Sequence, residues 1–305
     1  MWRNTTSVWA AAVALAVAAV AAACASAEEK AKEYRRIIAF SPAVTEIIYR
    51  LGAQDRLVGI ASFSDFPPEA VKEKPAVGGI LNIDSEKILS LEPDLIISPP
   101  GAIAGEKLPQ FAAEVKFLPD KTLADVELSF VEIGRLVGKP TEGKTLSDSL
   151  QSAVAAAKKE SVGRPGVAVL LVIGYEPLWV AGGYGFLNEL VEAVGGTNAA
   201  GGVKKDFYGI DFEGVLAAKP DVIVDLTLEG DLAGPRRDAA LTFWKRFPTI
   251  PAAANGRVEF IDSDLLTIPG PRLVEGLKAL QEALGGGAGP KREGAREEEP
   301  NRGAR

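Results

Sequence analysis

The chain has 305 residues, a net charge of −7, 47% hydrophobic and 25% charged residues, the balance of a globular protein long enough for two small domains. It contains no histidine and a single cysteine, which excludes imidazole-based acid–base and nucleophile pairs, most zinc sites and any internal disulfide. The acidic balance argues against a phosphate-backbone partner, so nucleic-acid binding is not expected.

Residues 1–27 read as an export signal. Arg3 precedes an uncharged Ala/Val run from Ala10 to Ala23 that ends at Cys24, too short to read as a membrane span. Ala21-Ala22-Ala23-Cys24 fits a loose lipobox that would acylate Cys24. Ala25-Ser26-Ala27 fits a cleavage site for soluble export, and a retained anchor is the third reading. All three place the protein in the periplasm or on the outer face of the membrane.

From Arg36 the chain alternates strand and helix. Apolar runs at 36–40, 57–60, 95–97 and 115–118 read as strands, and Ser41-Pro42 opens a helix that stops at Gly52. A helix over 126–137 ends this unit, read as an N-terminal α/β lobe at residues 35–140. Residues 141–160 carry the apolar stripe Leu146, Leu150, Ala153, Val154, Ala157 with no Gly or Pro after Gly143, so one long stiff helix is expected there. A C-terminal lobe at 161–284 repeats the plan, with strands at 167–173 and 258–261 and a helix over 271–284. The Gly-rich, charged segment 285–305 reads as a disordered tail. The fold class expected is α/β: two similar lobes with mainly parallel sheets, joined by one rigid helix, with a ligand cleft between them.

The two lobes are related by an internal repeat. Residues 82–97 and 209–224 align without a gap at an offset of 127 residues, and seven of sixteen positions are identical. Each copy puts an acid, Glu86 or Glu213, two residues after an aspartate, Asp84 or Asp211, that reads as an N-cap. A second echo pairs Thr45-Glu46-Ile47-Ile48 with Asn188-Glu189-Leu190-Val191.

The chain resembles a substrate-binding protein of an ABC importer, of the iron-chelate and vitamin B12 type. The resemblance covers residues 35–284 and rests on Ile37-Ile38-Ala39-Phe40-Ser41-Pro42-Ala43-Val44-Thr45-Glu46, Ser62-Phe63-Ser64-Asp65-Phe66-Pro67-Pro68-Glu69, both repeat copies, and Pro269-Gly270-Pro271-Arg272-Leu273-Val274-Glu275-Gly276. It implies a monomer that captures a small metal chelate, most readily cobalamin or a related corrinoid, and delivers it to a permease dimer. Contact with the membrane would come only through a lipid anchor, and no resident cofactor or protein-bound metal is implied. In the B12 members one glutamate per lobe docks against permease arginines, and those positions fall on Glu86 and Glu213; helix capping explains an acid there equally well. Ligand-binding candidates follow from the expectation that the cleft lies at the C-terminal strand ends. They are Ser41, Pro42, Phe63, Phe66 and Ile80 in the first lobe, with Pro99-Pro100 beside them. The second lobe contributes Tyr175, Trp179, Phe207, Asp264, Leu265, Leu266, Thr267 and Ile268, with Tyr184 nearby. Ile80 and Phe207 stand where B12 members carry tryptophans, and core packing is the alternative for each aromatic.

A ferric siderophore would call for cleft arginines, for which Arg236, Arg237 and Arg272 are available; haem would call for a tyrosine ligand such as Tyr175, Tyr184 or Tyr208. A two-lobed α/β enzyme is the reading from another class. No P-loop, G-x-G-x-x-G or G-x-S-x-G motif supports it, so the chain is read as a binding protein without catalytic residues.

Overall fold

The computed structural model describes residues 33–103, 105–230 and 232–285; the segment read as an export signal, with Cys24, and the segment read as a tail beyond Gly285 lie outside them. Among the described residues no helix is long and apolar enough to cross a membrane.

The first sheet has strands β1 (Ile37–Ala39), β2 (Leu57–Ile60), β3 (Leu95–Ser98) and β4 (Glu114–Phe117), all parallel, in the order β2-β1-β3-β4. Side chains alternate between faces with a period of two. Ile37, Ala39, Leu95 and Ile97 feed one apolar cluster, while Ile38 and Ile96 feed another on the opposite face. A sheet covered on both sides explains why these strands read as unbroken apolar runs. The strand order reverses at β1, so the chain leaves β1 and β3 in opposite directions, which opens a crevice at their C-terminal ends.

The second sheet has a parallel part, β5 (Val167–Tyr175), β7 (Gly196–Asn198), β9 (Val222–Asp225) and β10 (Val258–Phe260), in which β5 and β9 pair centrally. It also has an antiparallel part: β6 (Leu178–Ala181) folds back on β5, and β8 (Phe207–Gly209) pairs with β6. The same alternation recurs, with Val169, Leu171, Val222 and Val224 facing the first cluster and Leu170, Val172 and Ile223 facing a separate one.

The connecting helices follow their sequence signals. Helix α1 (Pro42–Arg50) starts with proline in its first turn and is followed by Gly52 at φ 67°, the asymmetry expected of helix ends. Helices α2 (Pro68–Glu73) and α3 (Ser85–Ser90) connect β2 to β3. Helix α4 (Leu123–Leu136) begins with a capping box between Thr122 and Asp125. The long helix α5 (Pro140–Ser161) runs 22 residues, roughly 33 Å. It buries Gly143, Ser147, Leu150, Val154 and Ala157, a three-four spacing that makes one stripe. It packs along α4 on one side, and on α6 (Phe186–Ala193) and the last helix α11 (Leu273–Gly285) on the other. The remaining helices are α7 (Phe212–Ala218), α8 (Pro235–Lys245), α9 (Pro251–Ala254) and α10 (Ser263–Thr267).

The repeat is carried into three dimensions. The Asp84 and Asp211 carboxylates accept from the Lys87 and Gly214 amides at 2.9 and 2.8 Å, each three residues into its helix. Glu92 and Lys219, again 127 residues apart, are the non-glycine residues with positive φ among the described residues, at 43° and 44°. Asp94 then accepts from the Arg35 and Arg36 amides, and Asp221 from the Ala168 amide, tying each unit to its lobe's first strand.

Candidate functional site

A cleft opens at the C-terminal strand ends of the first sheet, and the second lobe walls it with segments that follow β6 and β10. Its larger cavity, about 220 Å3, is walled by Ser41 and Pro42 after β1, Phe63 and Ile80 after β2, Pro99 after β3, and Thr267 and Ile268 from α10. A second cavity of about 100 Å3 is lined by Tyr184, Phe207 and Lys121. Asp120, Thr267 and Pro269 border both cavities and make them one cleft. The crevice predicted from strand order is therefore where the first lobe offers its loops. Phe63 and Ile80 are each 64% exposed and Leu81 is 99% exposed, so the rim presents apolar surface that a ligand would cover. The Phe63 ring lies over Gly79, where a Cβ would come within 2.4 Å of it.

The other candidates lie elsewhere. Phe66, three residues from Phe63, stacks on the Arg272 guanidinium at 4.2 Å. Arg272 in turn donates Nε and Nη2 to the two carboxylate oxygens of Glu46, at 3.0 and 2.6 Å, and Nη2 to Asp264 at 3.4 Å. Phe66 and Leu265 border a lateral groove of about 560 Å3 together with Glu69 and Glu275, and Leu266 is fully buried. Tyr175 points into the second lobe. Its hydroxyl donates to Asp225 and accepts from Trp244 Nε1 at 2.8 Å, within a ring cluster that includes Phe243. Trp179 stands on β6 between the buried Leu178 and Val180 and is 41% exposed; it lines neither cavity.

Electrostatics at the cleft centre on Asp120 and Lys121. Burial pushes the Asp120 carboxyl up, outweighing the pull of Lys121. Lys121 Nζ meets Asp206 at 2.6 Å, and that hydrogen bond holds its ammonium pKa up. Burial likewise raises the Glu46 carboxyl, despite its hydrogen bonds to Arg272. Desolvation works against the Arg272 charge, but Glu46 and Asp264 prevail and keep its pKa raised. Neither Arg236 nor Arg237 reaches the cleft; Arg237 lies over Phe260 instead. Among the described residues no cluster of acids and cysteines could hold a metal ion.

Asp120, Phe40, Gly79 and Pro269 are cleft residues that the sequence reading does not single out. The signal for Asp120 is its place directly after the strand run 115–118, the same C-terminal-end rule that finds Ser41. Leu81 follows Gly78-Gly79-Ile80, two bulky aliphatics in a loop that has no core to enter.

Glu86 and Glu213 are exposed, and neither makes a hydrogen bond or ion pair among the described residues. The capping is done by Asp84 and Asp211. Three residues on, Leu89 and Leu216 are 45% and 38% exposed, on the same helix face as the glutamates.

Comparison with known proteins agrees with this geometry. The chain is 25% identical over 245 residues to the vitamin B12-binding protein of Vibrio parahaemolyticus, covering 79% of this chain and 86% of that one. It is 28% identical over 263 residues to the ABC transporter substrate-binding lipoprotein YvrC of Bacillus subtilis, covering 83% and 81%. The periplasmic heme-binding protein RhuT of Roseiflexus superposes with a TM-score of 0.71 at 28% identity, covering 82% of this chain and 97% of that one. A family model for periplasmic binding proteins matches residues 37–265, so the chain belongs to the periplasmic binding protein family.

Proposed function

We propose that the cleft captures a metal chelate without exposed anionic groups, cobalamin or a related corrinoid, and hands it to a two-fold permease. The observation that carries this is the charge state of the cleft. Among the described residues its one cation, Lys121, is committed to Asp206, and the arginine that could have served an anionic ligand, Arg272, is committed to Glu46 and Asp264. An anionic siderophore would meet no free positive charge among the described cleft residues, and would face the carboxyl of Asp120. A corrin ring with neutral amide arms needs apolar walls and a few polar anchors, which Phe63, Ile80, Ile268 and Thr267 supply. A haem reading has one observation in its favour: Tyr184, half exposed, borders the cleft. No residue of this cleft is read as catalytic.

Docking is read from Glu86 and Glu213. Folding accounts for five of the seven identities in the repeat: two aspartates cap or tie backbone, the proline follows the left-handed residue, and Ile83/Ile210 and Ile96/Ile223 are wholly or partly buried. The exposed Glu and Leu pairs are left over. Two matched patches of one carboxylate and one leucine suit a partner with two-fold symmetry that offers a cation beside an apolar socket on each half. Titration with cyanocobalamin, haemin and an anionic ferric tris-catecholate, followed by tryptophan fluorescence, tests the ligand. Saturable binding of cyanocobalamin alone is expected, whereas binding of the ferric catecholate alone would overturn the proposal. Glu86→Lys with Glu213→Lys is expected to abolish transport while leaving ligand affinity unchanged.

A further inference from the structure

We propose that Glu46 and Glu189 are positioning residues for ligand capture: a matched pair of latches, each reaching from its own lobe to pin a segment of cleft wall carried by the other side. The two acids are echoed positions of the repeat, both in the helix that follows the first strands of their lobe.

Glu46, on α1, is 3% exposed and holds Arg272 through both carboxylate oxygens. Arg272 lies three residues after Pro269, the end of the Thr267-Ile268-Pro269 stretch of the second lobe that walls both cavities. The approach is close, because a Cβ on Gly270 would come within 3.2 Å of Glu46 Oε2. The planar guanidinium is gripped on three sides, by Glu46, Asp264 and the Phe66 ring, so the wall segment has few ways to shift.

Glu189, on α6, performs the reciprocal task. Its Oε2 accepts from the Leu123 amide at 2.8 Å, an amide in the first turn of α4 that the helix itself cannot satisfy. Beside it, Phe186 N donates to Lys121 O at 2.7 Å and Lys121 Nζ meets Asp206. Residues 120–123 are therefore fastened to the second lobe, and Asp120 and Lys121 are the cleft residues they carry. A capping role alone would not place both echoed acids on segments that line the same cleft, 66 and 226 residues away in sequence.

The inference rests on the reading that this cleft holds the ligand, but its first test needs no ligand. Hydrogen exchange of the full chain is compared with that of Glu46→Gln and Glu189→Gln. We expect amides of 264–273 to open about tenfold or more faster in the first variant and those of 120–125 in the second, the change set by loss of one charge-assisted bond, with the remaining segments unchanged. Cyanocobalamin affinity should fall by about tenfold in each. Should Glu46→Gln fail to fold, Arg272→Lys keeps the charge and removes the two-pronged grip. Should Glu189→Gln fail, Leu123→Pro removes the amide at a first-turn position that tolerates proline, with Leu123→Ala as the control for the buried leucyl side chain lost with it. Exchange that stays unchanged, or rises evenly across the chain, overturns the latches. A parent chain that ignores cyanocobalamin while both segments open as expected refutes the ligand reading and leaves the latches standing.

Discussion

Asp120 shows how one side chain couples the cleft to solution conditions. Burial raises its carboxyl pKa above the ordinary 3.8, so the folded chain holds a proton that the unfolded chain has released. Stability contributed by such a group falls as pH rises from the unfolded value through the folded one. Asp120→Asn should therefore raise Tm at about pH 7 and leave it unchanged at about pH 2, where the carboxyl is protonated in both states; thermal melts at the two pH values check this. Aromatic residues show where sequence stops being informative. Phe63 and Phe66 sit in the same Ser/Asp/Pro setting, yet one lies over Gly79 at the cleft and the other faces Arg272. What separates them is a partner more than two hundred residues away. Tyr175 likewise follows a strand run that marks a loop end, but Asp225 and Trp244 draw its hydroxyl inward. Residue type and local setting are legible in the chain; a long-range hydrogen-bond partner is not.

At the level of elements, the parallel strands and long helices are legible because both faces of each sheet are covered, which writes them as continuous apolar runs. Strands β6 and β8 are not, since 3 or 4 residues among glycines carry no periodicity. The junction of α4 and α5 depends on one close approach. A Cβ on Gly143 would lie 2.5 Å from Phe130 O and 3.0 Å from the Cα of Gly134. Backbone cannot yield as a flexible side chain can, so overpacking is expected to be felt in full. Gly143→Val should lower the unfolding free energy by about 2 kcal/mol, the usual size of an overpacked helix contact, as read from urea midpoints at constant m-value. The sequence marks Gly143 only as an early glycine in a long stripe; its reason is the neighbouring helix.

For the molecule as a whole, one apolar cluster runs from Tyr34 in the first lobe through α5 to Leu280 in the last helix. Lobes that share a core cannot open as a hinged pair without exposing it. The cargo signal available to a permease is then whatever shows at the cleft mouth, while the patches around Glu86 and Glu213 stay at fixed separation. A ligand alters a partner's affinity only through a difference between states. Loaded and empty chains should therefore bind the transporter in nanodiscs with Kd values within about tenfold of each other, by surface plasmon resonance. A gap of about a thousandfold would require a lobe movement that the shared core opposes. The shared core thus has a consequence for supply. Empty carriers compete with full ones for the same docking seats, so import should peak and then decline as the carrier is overproduced against scarce ligand.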